Sequence, residues 1–299
     1  MMRSLGRRLK YKDITVSLGS EVEGIDLERD YSPDIIDELL DAIVSRGVLV
    51  FRDQMLSPIR QVALGEALGE LNPRHPVYES VKDHPHPDVL VLWNDKDTVP
   101  DKQLWHSDVT YQDEPPIFSV LKACRIPDVG GDTLWADMRA AYQRLPDSIR
   151  TLISGLRAEH SLAHGFRYLY EPEYAALKHR REHLEKQERE VGNHNVHPLV
   201  KPHPISGEPM LYVNESFTKR IVDLPEAESS AILSMLFMHI QDPILQLRTR
   251  WTKGTVVIWD NYRTQHHAVT DHYPAYREMH RVTVARCRRP AMRLTAIAG

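Results

Sequence analysis

The amino-acid sequence predicts a mainly β protein with surrounding helices, folded as a single domain over residues 1–299. Runs with the pattern of strands occur in two separate regions, one beginning at Val89 and one in the last quarter of the chain. Helical patterns lie before and between these regions. Two histidines and an aspartate that suit one metal ion are divided between the two β regions. These regions must therefore fold against each other to bring the three residues together.

The first part of the chain predicts two helices around a buried strand. Ser32 suits the N-cap of the first helix, Pro33 its first helical position, and Gly47 the residue after its end. A strand is expected at residues 47–51, which are almost all apolar, and a second helix over residues 57–69. The apolar stripe of the first helix consists of Ile35, Ile36, Leu39, Leu40 and Ile43.

The remainder of the chain alternates between strands and helices. Strands are predicted at Val89–Trp93 and Ile117–Cys124, and the Gly130–Gly131 turn precedes another. Short helices are expected over residues 137–156, one of them starting near Pro146. The later elements are a helix that begins at Pro225 and carries Ile232, Leu233, Leu236 and Phe237, and strands at residues 245–251, 255–260 and 282–284.

The segment from Tyr174 to Val191 is dense in Lys, Arg and Glu. Such a run is typical of a helix that faces solvent, and we expect it to carry little function. His179 and His183 belong to this run, so they are interpreted as solvated surface residues.

Charge and composition exclude several classes of protein. A net charge of −4 and a pI near 6.5 argue against a nucleic-acid binder. Two cysteines, Cys124 and Cys287, form no disulfide framework and fit a reducing compartment. No apolar run approaches the roughly 18 residues of a membrane span, and the basic N-terminus lacks the apolar core of a signal peptide. We therefore expect a cytoplasmic protein without a membrane partner.

The sequence His106-Ser107-Asp108 is the strongest chemical signal. Residues two apart on a strand point to the same face, so the imidazole and the carboxylate can reach one metal ion. A second imidazole from a distant strand would complete two histidines and one carboxylate, which is the ligand set of non-haem Fe(II) oxygenases. His266 and His267 both follow the strand expected at 255–260, and spacing alone does not choose between them.

Two arginines follow the late histidines. Arg277 and Arg281 are four residues apart, so they share one face of a helix or one face of a strand. The planar guanidinium group matches carboxylates and related oxyanions. Two such groups near a metal predict a site for two anionic groups.

These motifs, together with others along the chain, resemble the taurine dioxygenase (TauD/TfdA) family of Fe(II)/2-oxoglutarate-dependent oxygenases. The resemblance spans nearly the whole chain, in order. The matching segments are residues 47–54, 75–78, 105–110, 130–135, 155–160, 213–218, 259–261, 264–266 and 279–281.

The resemblance implies a double-stranded β-helix, or jelly-roll, core. It places His106, Asp108 and His266 on the iron ligands, which favours His266 over His267. It also implies 2-oxoglutarate as cosubstrate and O2 as oxidant, with Thr133 and Arg277 at the distal carboxylate of 2-oxoglutarate. Further positions match the substrate side of the family: His75 and Arg281 at the sulfonate of taurine, and Val109, Tyr111, Phe166 and Phe217 on the apolar wall.

Two departures from the family fall on the substrate side. Tyr111 stands where taurine enzymes have Phe, and Lys102 stands where they have Asn. The added phenol and amine would suit a larger or more anionic molecule than taurine.

The expected function is hydroxylation of a small anionic substrate, a sulfonate such as taurine or an alkyl sulfate, with release of succinate and CO2. Three alternatives remain open. The first is the same oxygenase chemistry on a phenoxyalkanoate, or a desaturation or cyclisation of a biosynthetic intermediate. The second is a jelly-roll protein that binds its ligand without catalysis. The third is a zinc hydrolase, since zinc sites also use two histidines and a carboxylate. The family is often oligomeric, so a homo-oligomer is expected.

Overall fold

The computed structural model describes residues 9–72, 86–191 and 194–289. His75 lies outside these residues. The α-helices are α1 (Pro33–Arg46), α2 (Pro58–Leu68), α3 (Met138–Arg144), α4 (Asp147–Ile153), α5 (Leu162–Gly165), α6 (Lys178–Val191) and α7 (Glu226–Ile240), with 3-10 turns at Arg167–Tyr170, Pro172–Leu177 and Pro243–Leu245.

The strands are β1 (Lys10–Asp13), β2 (Ser20–Glu23), β3 (Val48–Phe51), β4 (Gly69–Leu71), β5 (Leu90–Asn94), β6 (Phe118–Arg125), β7 (Thr133–Asp137), β8 (Arg157–Ser161), β9 (His194–Pro198), β10 (Val200–Pro202), β11 (Pro209–Leu211), β12 (Thr218–Ile221), β13 (Gln246–Thr249), β14 (Val256–Asp260), β15 (Thr264–Ala268) and β16 (Arg277–Cys287).

One large sheet organises the molecule. Its order is β1-β2-β3-β14-β6-β16-β4, with β5 also paired to β16. Three smaller sheets have the orders β13-β7-β15, β12-β8-β9 and β10-β11. Among the described strands, every pair is antiparallel except β2 with β3. Strands from both ends of the chain therefore lie side by side, as the division of the metal-binding motif requires.

The large sheet is buried on both faces. In β14, Val256 and Ile258 pack into the core under α1 and α2, whereas Val257 and Trp259 face the opposite core. That second core also contains Trp135 and Leu247 of the β13-β7-β15 sheet, so the two sheets pack against each other. A strand covered on both faces is apolar at successive positions, which explains the unbroken run at 256–259.

The predicted helices and strands are largely confirmed. The Ser32 side chain accepts a hydrogen bond from the Ile35 amide, Pro33 begins α1, and Gly47 closes it with φ of 75°. The second helix, the strands near residues 90, 118, 246 and 256, and the helix after Pro225 also lie where the patterns predict. These elements were predictable because their signals are local: caps, apolar period and turn residues.

Two predictions about the middle of the chain need correction. His106 forms only an isolated bridge, and residues 108–111 make a turn rather than a strand. The charged run forms α6 as expected, but the helix is not simply solvated: Leu184 is fully buried. Within the part of the chain that the structure describes, no helix has the length and apolarity needed to cross a bilayer.

Candidate active site

A short antiparallel bridge brings His106 and His266 together. The His106 amide donates to the His266 carbonyl at 3.1 Å, and the His266 amide donates to the His106 carbonyl at 2.8 Å. The two imidazole rings lie with centroids 4.2 Å apart. Because His266 belongs to β15 and His106 to a distant segment, this bridge is a tertiary contact that joins the two β regions.

A turn held by Asn261 places Asp108 beside the histidines. The Asn261 side chain accepts a hydrogen bond from the Asp108 amide at 2.7 Å and donates to the Asp108 carbonyl at 3.1 Å. Val109 follows with φ of 48°, a left-handed conformation that costs a β-branched residue energy. The convergence of His106 and Asp108 therefore comes from this turn and not from strand alternation.

The three side chains present donor atoms to one point. Asp108 Oδ1 lies 3.9 Å from His106 Nε2 and 4.0 Å from His266 Nε2. The Leu104 carbonyl lies 2.7 Å from His106 Nδ1 and can only accept a hydrogen bond, so Nδ1 carries the proton and Nε2 keeps its lone pair. Burial lowers the pKa of His106, and burial with the neighbouring His106 lowers the pKa of His266 to about 3. Both imidazoles are thus neutral donors at pH 7, and with the carboxylate they fit Fe(II).

His267, the competing candidate, lies away from this point. Its ring packs against Trp105 with centroids 5.5 Å apart. Successive residues of β15 point to opposite sides of the strand, so only His266 joins the group.

Arg281 approaches the same carboxylate. Its Nη1 lies 3.1 and 3.2 Å from the two Asp108 oxygens, and both side chains are about nine-tenths buried. Arg281 and Arg277 both lie on β16 and line the cavity described next. Of the two arrangements predicted for these arginines, one face of a helix or one face of a strand, the strand arrangement is therefore confirmed.

Arg277 differs from Arg281 because no carboxylate of the described residues forms an ion pair with it. Burial lowers its pKa to about 10, with Asp132 opposing that shift. Gly131 has φ of 73°, and a Cβ there would lie 3.2 Å from Arg277 Cδ, so glycine makes room for the guanidinium. Thr133 also faces the cavity, and its hydroxyl accepts a hydrogen bond from Trp251 at 2.9 Å. A partly buried cation with no ion-pair partner among the described residues, beside a hydroxyl, is suited to an anionic ligand.

A cavity of about 490 Å³ joins these groups. Its wall contains His106, Asp108 and His266 together with Thr133, Arg277 and Arg281. Val109, Phe166 and Phe217 add the apolar surface that the sequence predicted. The volume lies within the ordinary range for small-molecule sites.

Two residues predicted on the substrate side have other environments. Tyr111 packs against Phe217 with ring centroids 5.2 Å apart and is not among the residues that line the cavity. Lys102 does line it, but its ammonium pairs with Glu171 at 2.7 Å, which neutralises the extra charge. In this structure the Tyr111 phenol is not part of the cavity wall, and the Lys102 ammonium in that wall is paired with Glu171.

The cavity wall also contains residues that the sequence did not predict. His179, Arg180 and His183 of α6 line the cavity, although the run was interpreted as solvated. The available signal was Leu184, the apolar residue in the middle of a charged helix, which packs with Leu177 and Phe166. The role of Asn261 in holding Asp108 was also missed, because a hydrogen bond across 153 residues leaves no local pattern.

The chain is similar to known proteins over most of its length. Residues 10–283 match the family model for Taurine catabolism dioxygenase TauD, TfdA family. An α-ketoglutarate-dependent sulfonate dioxygenase of Saccharomyces cerevisiae is 32% identical over 295 residues, covering 92% of this chain and 66% of the yeast protein. The chain thus spans just under two thirds of that relative's length.

Bacterial relatives match more of their own length. An α-ketoglutarate-dependent sulfate ester dioxygenase of Pseudomonas putida is 34% identical over 276 residues, covering 90% of this chain and 86% of that protein. The crystal structure of a taurine dioxygenase from Burkholderia xenovorans superimposes with a TM-score of 0.77 at 31% identity, covering 92% of this chain and 89% of that chain.

Proposed function

The chain belongs to the TauD, TfdA family of taurine catabolism dioxygenases, and from that premise we propose that it hydroxylates a small organic sulfonate or sulfate ester. It is a 2-oxoglutarate-dependent dioxygenase, and therefore an oxidoreductase. The cosubstrate would leave as succinate and CO2. The observation that carries the proposal is the group of His106, Asp108 and His266 in the wall of a cavity that also contains two arginines.

Fe(II) would be held by His106, Asp108 and His266. Bound there with 2-oxoglutarate and O2, it would supply the oxidising power to replace an unactivated C–H hydrogen by hydroxyl. The protein contributes neutral imidazoles whose orientation is fixed, for His106, by the Leu104 carbonyl. Asn261 contributes by holding the Asp108 turn.

The 2-oxoglutarate carboxylate distant from the keto group would pair with Arg277 and accept a hydrogen bond from Thr133. The Arg277 guanidinium has no ion-pair partner among the described residues, which supports this assignment, because an incoming carboxylate would pair with a partly buried charge rather than displace a partner.

The anionic head of the organic substrate would bind Arg281. This guanidinium now pairs with Asp108, and a bidentate fork can serve both partners. Val109, Phe166 and Phe217 would cover the carbon chain and exclude water. Fixing the head group at one end selects the carbon that faces the iron, which is a gain from orientation. His75 is proposed as a second contact of the head group from the resemblance alone.

The first test is succinate release from 2-oxoglutarate with Fe(II), over a panel of sulfonates, alkyl sulfates and phenoxyalkanoates. Strong stimulation by sulfonates or alkyl sulfates is expected. Stimulation by phenoxyalkanoates alone would transfer the assignment to that substrate class. No succinate release with any member, in protein that binds iron, would refute the oxygenase.

A pair of adjacent histidines provides a matched control. His266→Ala should abolish coupled succinate release, whereas His267→Ala should retain it, because the His267 ring packs on Trp105. Equal loss in both variants would contradict the assignment of His266.

We propose one domain over 1–299 with a jelly-roll core, supported by the packing of the β13-β7-β15 sheet on the large sheet. A cytoplasmic location is supported by the free thiols Cys124 and Cys287. A homo-oligomer would be tested by light scattering.

A further inference from the structure

A second group of metal-ligand atoms lies on β6 and β16, away from the cavity. The Cys124 thiol, a Glu278 carboxylate oxygen and a His280 imidazole nitrogen all lie within 4.8 Å of one another. None of these three residues lines the cavity. All three are partly buried, so a cation from solvent has access to them.

Strand alternation separates this group from the candidate active site. Arg277, Met279 and Arg281 of β16 line the cavity, and Glu278 and His280 are the residues between them. Successive residues of a strand point to opposite faces. The second group therefore lies on the face of β16 where Val282 packs under α2, beyond the end of that apolar core.

Strand pairing places the thiol beside the other two side chains. Lys122 lies opposite His280, and Cys124, two residues from Lys122 along β6, shares its face of the sheet. Glu278 is opposite Arg125 and Met279 is opposite Ala123, so Cys124 is the additional residue of a bulge in β6 beside the group.

Neighbouring groups already orient two of the three residues. His280 Nε2 lies 3.0 Å from Glu278 Oε1, and the Tyr276 hydroxyl donates to Glu278 Oε2 at 2.7 Å. The Gln61 side chain donates to the His280 carbonyl at 2.8 Å. The Tyr276 hydroxyl is a contact of the kind that orients a metal ligand, and Gln61 holds the main chain of His280. The His280–Glu278 contact joins two of the ligands themselves and would give way to the ion.

We propose that Cys124, Glu278 and His280 bind a thiophilic divalent cation, of which Zn²⁺ is the best fit. Thiolate, imidazole and carboxylate are the three ligand types of zinc, and solvent can supply the fourth position. The thiolate and carboxylate together balance the charge of the ion. Two cations lie near the group. Arg125 is 4.0 Å from the Glu278 carboxylate, largely exposed and placed over the Tyr276 ring. Lys122, opposite His280, donates its ammonium to the Leu56 carbonyl. Burial keeps the Cys124 thiol protonated by raising its pKa, so binding would release that proton to solvent.

Cobalt distinguishes this site from the candidate iron site. Co²⁺ replaces Zn²⁺, and a cobalt–thiolate bond gives an intense near-ultraviolet charge-transfer band. His106, Asp108 and His266 include no sulfur, so only a cysteine site can produce the band. Full-length protein titrated with Co²⁺ should show it, and so should His106→Ala and Cys287→Ser. The band should disappear in Cys124→Ser and weaken in His280→Gln.

The control cysteine is well separated. Cys287 lies seven residues from His280 along β16, about 23 Å away at the rise of an extended strand. A band that survives Cys124→Ser but is lost in Cys287→Ser would overturn the proposal. Absence of the band from the wild-type protein, with Co²⁺ bound, would also overturn it.

Thermal unfolding gives an independent readout that does not depend on turnover. In the His106→Ala background, Zn²⁺ at about 100-fold above its Kd should raise Tm by about 5 °C. Adding Cys124→Ser to that background should remove the increase while leaving the Tm without metal nearly unchanged. An equal increase in both variants would contradict the site. Loss of succinate release has no bearing on either measurement, so this proposal and the proposed function fail separately.

Discussion

Two buried arginine–aspartate pairs differ in their access to the cavity: one lies away from it, and the other forms part of its wall. Arg263 and Asp137 are both fully buried, and Arg263 also donates to the backbone carbonyls of Val44, Ser45 and Ser17. Arg281 and Asp108 line the cavity, and within the described residues the ion-pair partner of Arg281 is the Asp108 carboxylate, which is also a candidate metal ligand.

The contrast indicates two uses of a buried charge. Arg263 joins α1, the segment before β2 and the end of β7 through oxygens that no ligand can reach, so it stabilises the fold. Arg281 keeps donors available on the cavity side and can share its partner with an anion. Arg277 completes the series, because it lies in the cavity with no carboxylate partner among the residues the structure describes.

The largest expected effect is on the structural pair. Arg263→Met leaves Asp137 buried without its counter-ion and should lower the free energy of unfolding by about 3–5 kcal/mol, measured by urea denaturation. The double variant Arg263→Met/Asp137→Asn removes the buried charge but keeps the Asp137 oxygen that caps α3, so it should recover part of that loss. A loss below about 1 kcal/mol in the single variant would contradict the structural role.

Removal of the unpaired arginine should affect ligand binding instead. Arg277→Gln should raise KM for 2-oxoglutarate about 100-fold, because a charge-assisted hydrogen-bonded pair contributes roughly 1.5–3 kcal/mol. The free energy of unfolding should stay nearly constant, since no ion pair is broken. Arg248→Gln, which removes a surface pair with Asp132, is the matched control and should leave KM unchanged. Equal KM values in wild type and Arg277→Gln would refute the carboxylate assignment.

A smaller effect is expected for the residue that holds the Asp108 turn. Asn261→Ala removes both hydrogen bonds to the Asp108 backbone, and Val109 would relax from its left-handed conformation. Iron affinity should fall about 10- to 100-fold, as for other residues that orient metal ligands. Competition with a metal-binding dye measures the affinity. Unchanged affinity would mean that the turn keeps its shape without Asn261.

The smallest expected effect is on the pH dependence of stability, through the buried, neutral imidazole of His160. Burial, with a smaller contribution from His197, lowers the pKa of His160 well below 6.5. The unfolded chain therefore binds a proton near pH 6.5 that the folded chain does not, and stability falls as pH decreases below that value. The contribution is about 1.4 kcal/mol per pH unit. His160→Gln should reduce the slope of unfolding free energy between pH 6 and 5 by that amount, and an unchanged slope would contradict the assignment.

The sequence by itself determined the local elements and the composition of the site. Ser32, Pro33 and Gly47 define α1 through capping and backbone preference, which depend only on neighbouring residues. The run at 256–259 indicated a buried strand in the same way. His106, Asp108 and Arg277 were recognised as residue types at informative spacing.

Only the tertiary structure decided which side chains meet. His106 and Asp108 converge through a turn tied to Asn261, far along the chain, and not through the strand that their spacing suggested. Strand register placed Arg277 and Arg281 in the cavity and His280 on the opposite face of β16, beside Cys124 of β6. Register cannot be obtained from spacing, because a shift of one residue exchanges the two faces of a strand.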